Sequence, residues 1–237
     1  MKRVILIAVV LMFGAGLANA DTLAVNNTAA LGGTGTACGG GNCGLEVSHD
    51  NTSVAYVEDL TPDGETVYRM TFLFNPASTT TSSNVRQTIF RGIGPNPNPG
   101  VGNCHPTLQT ASSFRLFYYR TGGSGQNASI LAFVNGNQCG ERSIPARIPL
   151  TVDDPVRICA EMTTGNSLSG TLAVAIVDDQ ASCPSTGDPA YGVAIVSNGL
   201  LSVDRIRMGT PQTNNFGAGE TMTLYFDEFE SFRTLAP

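Results

Sequence analysis

The stretch "VYRMTFLF", Val67 to Phe74, decides the fold. Side chains of an extended chain alternate between faces, so Val67, Arg69, Thr71 and Leu73 share one side and Tyr68, Met70, Phe72 and Phe74 the other. The second set is large and apolar, which makes it the core face of a half-buried β-strand.

Working outward, comparable apolar runs recur between turn signals. "AYVE" follows Val54, and "NPASTTTSSN" after Phe74 is a loop by composition. "RQTIFRGI" leads into "GPNPNPGVGNC", whose prolines belong in an exposed connection because proline cannot donate to a sheet ladder. Phe114–Arg120 and Ser129–Asn135 flank "TGGSGQNA" as a hairpin, and Val156–Thr163 and Thr171–Asp178 flank "TGNSLSG" as another. "TLAVAIVD" is almost continuously apolar and belongs in the middle of a sheet. "YGVAIVS", "SVDRIRMG" and "TMTLYFDEFESFR" complete the set. No window sustains a 3.6-residue period for three turns, so the expected fold is all-β, a two-sheet antiparallel sandwich forming one domain. An outer-membrane barrel is the competing all-β reading; zero Trp and six Cys argue against it.

Met1-Lys2-Arg3, an apolar run from Val4 to about Leu17 and the small-x-small end Ala18-Asn19-Ala20 read as a secretory signal. The expected organisation is a signal peptide over 1–20, a glycine-rich irregular segment over 21–44 and the sandwich over 45–237, in a protein exported to the periplasm or beyond. Without Lys2 and Arg3 the 13 basic residues become 13 − 2 = 11, against 19 acidic ones, a net charge of 11 − 19 = −8. That balance disfavours nucleic acid and anionic membrane as partners. Lys2 is the only lysine, which removes Schiff-base chemistry and a phosphate-clamping lysine from the mature chain.

Cys38, Cys43, Cys104, Cys139, Cys159 and Cys183 form an even set, read as three disulfides in an exported chain. Sequence leaves the connectivity open, and neighbour pairing (38 with 43, 104 with 139, 159 with 183) is the expected arrangement. There is no C-x2-C pair and only two histidines, His49 and His105, so zinc is not expected.

The segment "TLYFDEFESFR", Thr223 to Arg233, contains a fault of phase. Leu224 and Phe226 point one way while Phe229 belongs to the opposite parity, so an unbroken strand cannot bury all three. A bulge near Asp227 restores the register and makes Asp227 an aimed residue, capping backbone N–H groups or facing a ligand. Together with "YRMTFLFNP", "RQTIFRGIG", "SFRLFYY" and "VDRIRMG", this segment resembles the strand sequence of secreted bacterial jelly rolls of the concanavalin A-like lectin/glucanase superfamily, in its laminin-G-like branch, over about Val54 to Arg233. The resemblance implies a jelly roll, and it implies that calcium is worth weighing, with Asp153, Asp154, Asp178, Asp179 and Asp188 as loop acids. No D-x-[DN]-x-[DN]-G loop is present, and no cofactor is expected.

Retaining glycosidases need two carboxyls about 5 to 5.5 Å apart. Glu228 and Glu230, two apart on a strand, are the candidate pair, but the Glu-x-Asp-x-x-Glu series of the superfamily's glucanases is absent. No G-x-S-x-G elbow occurs either. The expected function is therefore a non-catalytic binding or surface-interaction module for an extracellular glycan or surface protein, with Asp227, Tyr118 and Tyr225 as contact residues. A polysaccharide-acting hydrolase or lyase is one alternative, and a structural exported protein with no small ligand is another.

Overall fold

The computed structural model describes residues 23–26, 29–31, 44–49, 54–60, 62, 64–80, 85–95, 110–121, 128–138, 140–150, 154–211 and 221–233. They form two antiparallel sheets packed face to face in a single-domain jelly-roll sandwich. With strands numbered along the chain, the first sheet runs β1 (Leu23–Asn26), β4 (Ala55–Asp59), β14 (Arg205–Thr210), β6 (Val85–Pro95), β7 (Thr110–Arg120), β8 (Ala128–Asn135) and β10 (Ile148–Leu150). Its eighth strand, β9 (Glu141–Ser143), also pairs with β8. The second sheet runs β13 (Gly192–Val196), β12 (Gly170–Asp178), β11 (Val156–Thr163), β5 (Val67–Thr80), β15 (Thr221–Arg233), β3 (Leu45–His49) and β2 (Ala29–Leu31).

Period two places the core as read. Tyr68, Met70, Phe72 and Phe74 are all buried, and across the sandwich Phe114, Leu116 and Tyr118 of β7 meet them. Ring contacts run Tyr118–Phe74–Phe226–Phe72–Phe90–Phe114–Tyr68, with centroids 5.4–6.2 Å apart. This aromatic seam crosses between the sheets three times, at Tyr118–Phe74, Phe72–Phe90 and Phe114–Tyr68. Gly92 makes room for it: a Cβ there would lie 2.3 Å from a Phe114 ring carbon.

Both expected hairpins are present, as β7–β8 and β11–β12. Strand β12 is interior to its sheet, between β11 and β13. The bulge is present too: Asp227 pairs with Leu73 but Glu230 with Thr71, so β15 spends one residue more than β5. That slip turns Phe229 inward against Phe90, with centroids 6.2 Å apart. Glu228 takes φ +47°, and its N–H is capped by Asp227 Oδ1 at 2.8 Å.

One expectation changes. The segment 21–44 was expected to be irregular, yet β1 pairs with β4 and β2 with β3 inside it. "LAVN" and "AAL" are too short for periodicity to announce, and they gain order from the strands beside them. Of the three expected disulfides, Cys159–Cys183 is formed, with Cα atoms 5.8 Å apart; Cys38, Cys43, Cys104 and Cys139 lie outside the described residues, as do the signal segment, His105 and Asp153.

Phe226 touches rings on either side, so Phe226→Ala is expected to cost about 3–5 kcal/mol in urea unfolding at an unchanged m-value. Replacing Cys159 and Cys183 by Ala closes no loop of 24 residues in the unfolded chain and is expected to cost about 3 kcal/mol.

Candidate functional site: an arginine row on the eight-stranded sheet

Because Phe114, Leu116 and Tyr118 face the core, their neighbours Arg115, Phe117 and Tyr119 face away from it. Alternation likewise turns Arg205 and Arg207 of β14 and Tyr56 and Glu58 of β4 outward, and on β6 the register shift between Thr88 and Phe90 brings Arg86 and Arg91, which differ in parity, to the same outer face. Register then lines them up across strands that are distant in sequence. Glu58 pairs with Arg207, Arg207 with Arg91, Arg91 with Arg115, and Arg115 with Phe133. Three arginines thus occupy adjacent positions in one row, at a strand spacing of about 4.8 Å. Arg86 is opposite Tyr119 in a parallel row, and Arg147 reaches the same tyrosine from the β9–β10 connection.

Phe117 is the apolar centre of this face. It points away from the core, yet only 2% of its surface is exposed. Arg86 Cζ lies 4.2 Å and Arg115 Cζ 5.1 Å from its centroid, and Phe133 packs edge-on at 5.2 Å. Each guanidinium gains from the negative ring face while shielding the ring from water. Tyr119 is half-buried, with Arg147 Cζ at 4.1 Å and Arg86 Cζ at 5.7 Å from its ring. Arg207 Cζ lies 4.5 Å over Tyr56.

The row is electrostatically expensive, because like charges directly opposite each other on a sheet repel. Its ends are compensated: Arg207 Nε lies 2.5 Å from Glu58 Oε2, and Arg115 pairs with Glu141. In the middle, Arg91 Nε donates to the Ser112 hydroxyl at 2.5 Å, and no carboxylate of the described residues pairs with it. Burial, then the charges of Arg207 and Arg205, push the Arg91 guanidinium below its ordinary value. Burial, then Arg91 and Arg86, lower Arg115 to about 10. Shifts produced by burial together with like charges cluster at functional sites.

The acids and tyrosines singled out from sequence are elsewhere. Tyr118 is wholly inside the sandwich, with no surface to offer a ligand. Tyr225, Asp227, Glu228 and Glu230 lie on β15, on the opposite sheet. Glu228 Oε2 accepts from Arg157 Nη2 at 2.5 Å, and partial burial followed by Glu46 raises the Tyr225 phenol. Asp179 and Asp188 accept from the backbone N–H groups of Gln180 and Ala190, both at 2.8 Å. Among the described residues no three His, Cys, Asp or Glu side chains gather as a metal cage. What sequence reading missed is the arginine row. Its trace was the alternation of Arg with apolar residues in "RQTIFRGI", "FRLFYY" and "DRIRM".

Arg91→Met is expected to raise stability by about 1 kcal/mol, since it removes a desolvated charge between two others. Glu58→Gln is expected to lower it by a similar amount, by uncovering Arg207. Arg115 is depressed in the folded state, so the unfolded chain binds more protons between about pH 10 and the ordinary arginine value above it. Across that window stability from this group rises with pH. The difference in unfolding free energy between the parent and Arg115→Met should therefore move in the parent's favour as pH climbs through it.

No family model matches the chain, and no curated protein matches it in sequence. Solved structures do match its fold. An endo-β-1,4-glucuronan lyase from the fungus Trichoderma reesei aligns with TM-score 0.56 and 13% identity over 92% of this chain and 92% of its own. An alginate lyase from a Chlorella virus aligns with TM-score 0.56 and 12% identity over 90% and 92%. A marine PL-14 alginate lyase from Aplysia kurodai aligns with TM-score 0.53 and 10% identity over 82% and 84%. The expectation of a non-catalytic binding module is corrected by these matches, which are themselves lyases of glucuronan and alginate.

Proposed function

We propose that the protein is a lyase that cleaves a uronate-containing polysaccharide by β-elimination on the outer face of the eight-stranded sheet. The observation that carries the reading is the row Arg207–Arg91–Arg115, with its middle member unpaired among the described residues and Tyr119 and Tyr56 beside it. The glycan is thus substrate. The similar folds of a glucuronan lyase and an alginate lyase support the same class.

Elimination needs a cation for the uronate carboxylate and a group that moves one proton. Pairing the carboxylate with a guanidinium stabilises the negative charge that develops there when the neighbouring C5 proton leaves. The Tyr119 oxygen, acting as the phenolate, takes that proton, the C5 electron pair becomes the C4–C5 double bond, and the C4–O bond to the departing sugar breaks. The Tyr119 phenol so formed gives the proton to the released oxygen and returns to the phenolate, so charge and atoms balance. Arg86 and Arg147, stacked about Tyr119, keep the reacting carboxylate near the base. Arg91 and Arg115 hold carboxylates of neighbouring sugars.

Hydrolysis fits this face less well. It requires paired carboxyls about one sugar bond apart. The acids of this face, Glu58 and Glu141, are each committed to an arginine, on β4 and β9 with four strands between them. Export is supported by the Met1–Ala20 pattern and by the Cys159–Cys183 disulfide, which persists in oxidising compartments. The jelly-roll architecture is consistent with the laminin-G-like resemblance.

The test is ultraviolet detection of unsaturated product from polymannuronate, polyguluronate and glucuronan, with a neutral glucan as control. Turnover on at least one polyuronate is expected. Tyr119→Phe should lower kcat by roughly 10²–10⁴-fold, and Arg91→Ala should raise KM more than it lowers kcat. Cleavage that yields only saturated ends, or activity confined to the neutral glucan, would overturn the reading.

A further inference from the structure

The other side of the molecule carries a different chemistry. On the outer face of the seven-stranded sheet, Arg69 and Thr71 of β5 project beside Cys159 and Glu161 of β11. The chain after β12 folds back over them and is fastened twice. One fastening is the Cys159–Cys183 disulfide. The other is a closed ring of polar contacts: Arg69 Nε to Glu161 Oε2 at 2.7 Å, Arg69 Nη2 donating to Thr186 Oγ1 at 3.0 Å, and Thr186 Oγ1 donating to Glu161 Oε2 at 3.0 Å. Within the loop, Tyr191 donates its hydroxyl hydrogen to the Pro184 carbonyl at 3.1 Å.

Beneath this fastened loop is a cavity of about 320 Å³. Thr71 is in its floor, Pro184, Thr186 and Tyr191 form its wall, and Phe232 flanks it from β15. Two side chains are left with unmet demands. The Thr71 hydroxyl is buried, the residue being 6% exposed, and has no hydrogen-bond partner. Phe232 is the reverse case, a large apolar ring that is 52% exposed.

We propose that this cavity is a binding site for one neutral sugar ring, separate from the arginine face and independent of the lyase reading. Its volume is at the lower end of small-molecule sites. An apolar ligand would leave the Thr71 hydroxyl unpaired and would desolvate the Arg69–Glu161 pair without replacing water. An anion would meet Glu161 with Arg69 already engaged, and a cation would compete with Arg69 for Glu161. A ring that carries hydroxyls and one C–H face meets every group: a hydroxyl for Thr71, further hydroxyls for the Thr186–Glu161–Arg69 ring, and the C–H face for the negative face of Phe232. Because the loop is held by a covalent bond and an ion pair before any ligand arrives, little ordering remains to oppose binding.

The test is a ¹H–¹⁵N NMR titration of the intact protein with D-glucose, D-galactose, D-mannose and D-xylose, and separately with D-glucuronate. Shifts in Thr71, Thr186, Tyr191 and Phe232 are expected with at least one neutral sugar and not with glucuronate. Two variants separate a ligand site from a merely structural cavity. Thr71→Val removes an unsatisfied hydroxyl at constant shape, so it should raise the melting temperature of the free protein while weakening sugar binding by roughly threefold to tenfold. Phe232→Ala, at an exposed position, should weaken binding without moving the melting temperature. No perturbation by any neutral sugar overturns the proposal, as does binding that both variants leave unchanged or a cavity that prefers glucuronate.

Discussion

The aromatic seam between the sheets is the constraint from which the rest of the molecule follows. Once Tyr68, Phe72, Phe74 and Phe226 are committed to meeting Phe90, Phe114 and Tyr118, the facing of every residue on those strands is settled. Each ring pair contributes about 0.5–1.5 kcal/mol beyond the area it buries, and a slip of one residue would forfeit several at once. Arg91 and Arg115 are outward for no reason of their own. They are outward because Phe90 and Phe114 are inward, and the bulge at Asp227 exists so that Phe229 can join the same seam.

How much of this is legible in the sequence depends on whether a feature belongs to one strand or to several. The core face of Val67–Phe74 is a property of one strand, and so is the phase fault between Phe226 and Phe229; both can be read without knowing any neighbour. The arginine row is a property of three strands. Its alternating arginines are visible one strand at a time, but nothing local says that β14 enters between β4 and β6, some 110 residues away in the chain, and puts Arg207 beside Arg91. The same limit explains Tyr118. Phe114 and Leu116 fix its parity once they are assigned to the core, and its neighbour Tyr119 is then the tyrosine on the outer face.

The acids of the last strand mislead for a related reason. Strict alternation gives Glu228 and Glu230 a common face, which invites a catalytic pair. A bulge suspends alternation where it occurs, and Glu228 enters the left-handed region with its N–H held by Asp227 and its carboxylate by Arg157. Paired carboxylates belong to sugar hydrolysis. Elimination from a uronate uses the carboxylate of the substrate itself, so a protein's share of that chemistry is a cation and a proton carrier. A chain whose single lysine is Lys2, and in which Glu58 and Glu141 are engaged by arginines, is compatible with that chemistry.

Charge distribution joins these observations. The chain carries 13 basic against 19 acidic residues, yet Arg86, Arg91, Arg115, Arg147, Arg205 and Arg207 gather on one face, where among the described residues Glu58 pairs with Arg207 and Glu141 with Arg115. A net negative surface repels a polyanion from most directions, so under the proposed function a polyuronate would be attracted at one face and turned toward it before contact. Arg91 and Arg115 are lowered first by burial and then by the charges of neighbouring arginines. Carboxylates bound under the same proposal would offset both costs by pairing with guanidiniums already removed from water, which would favour an acidic polymer over a neutral one.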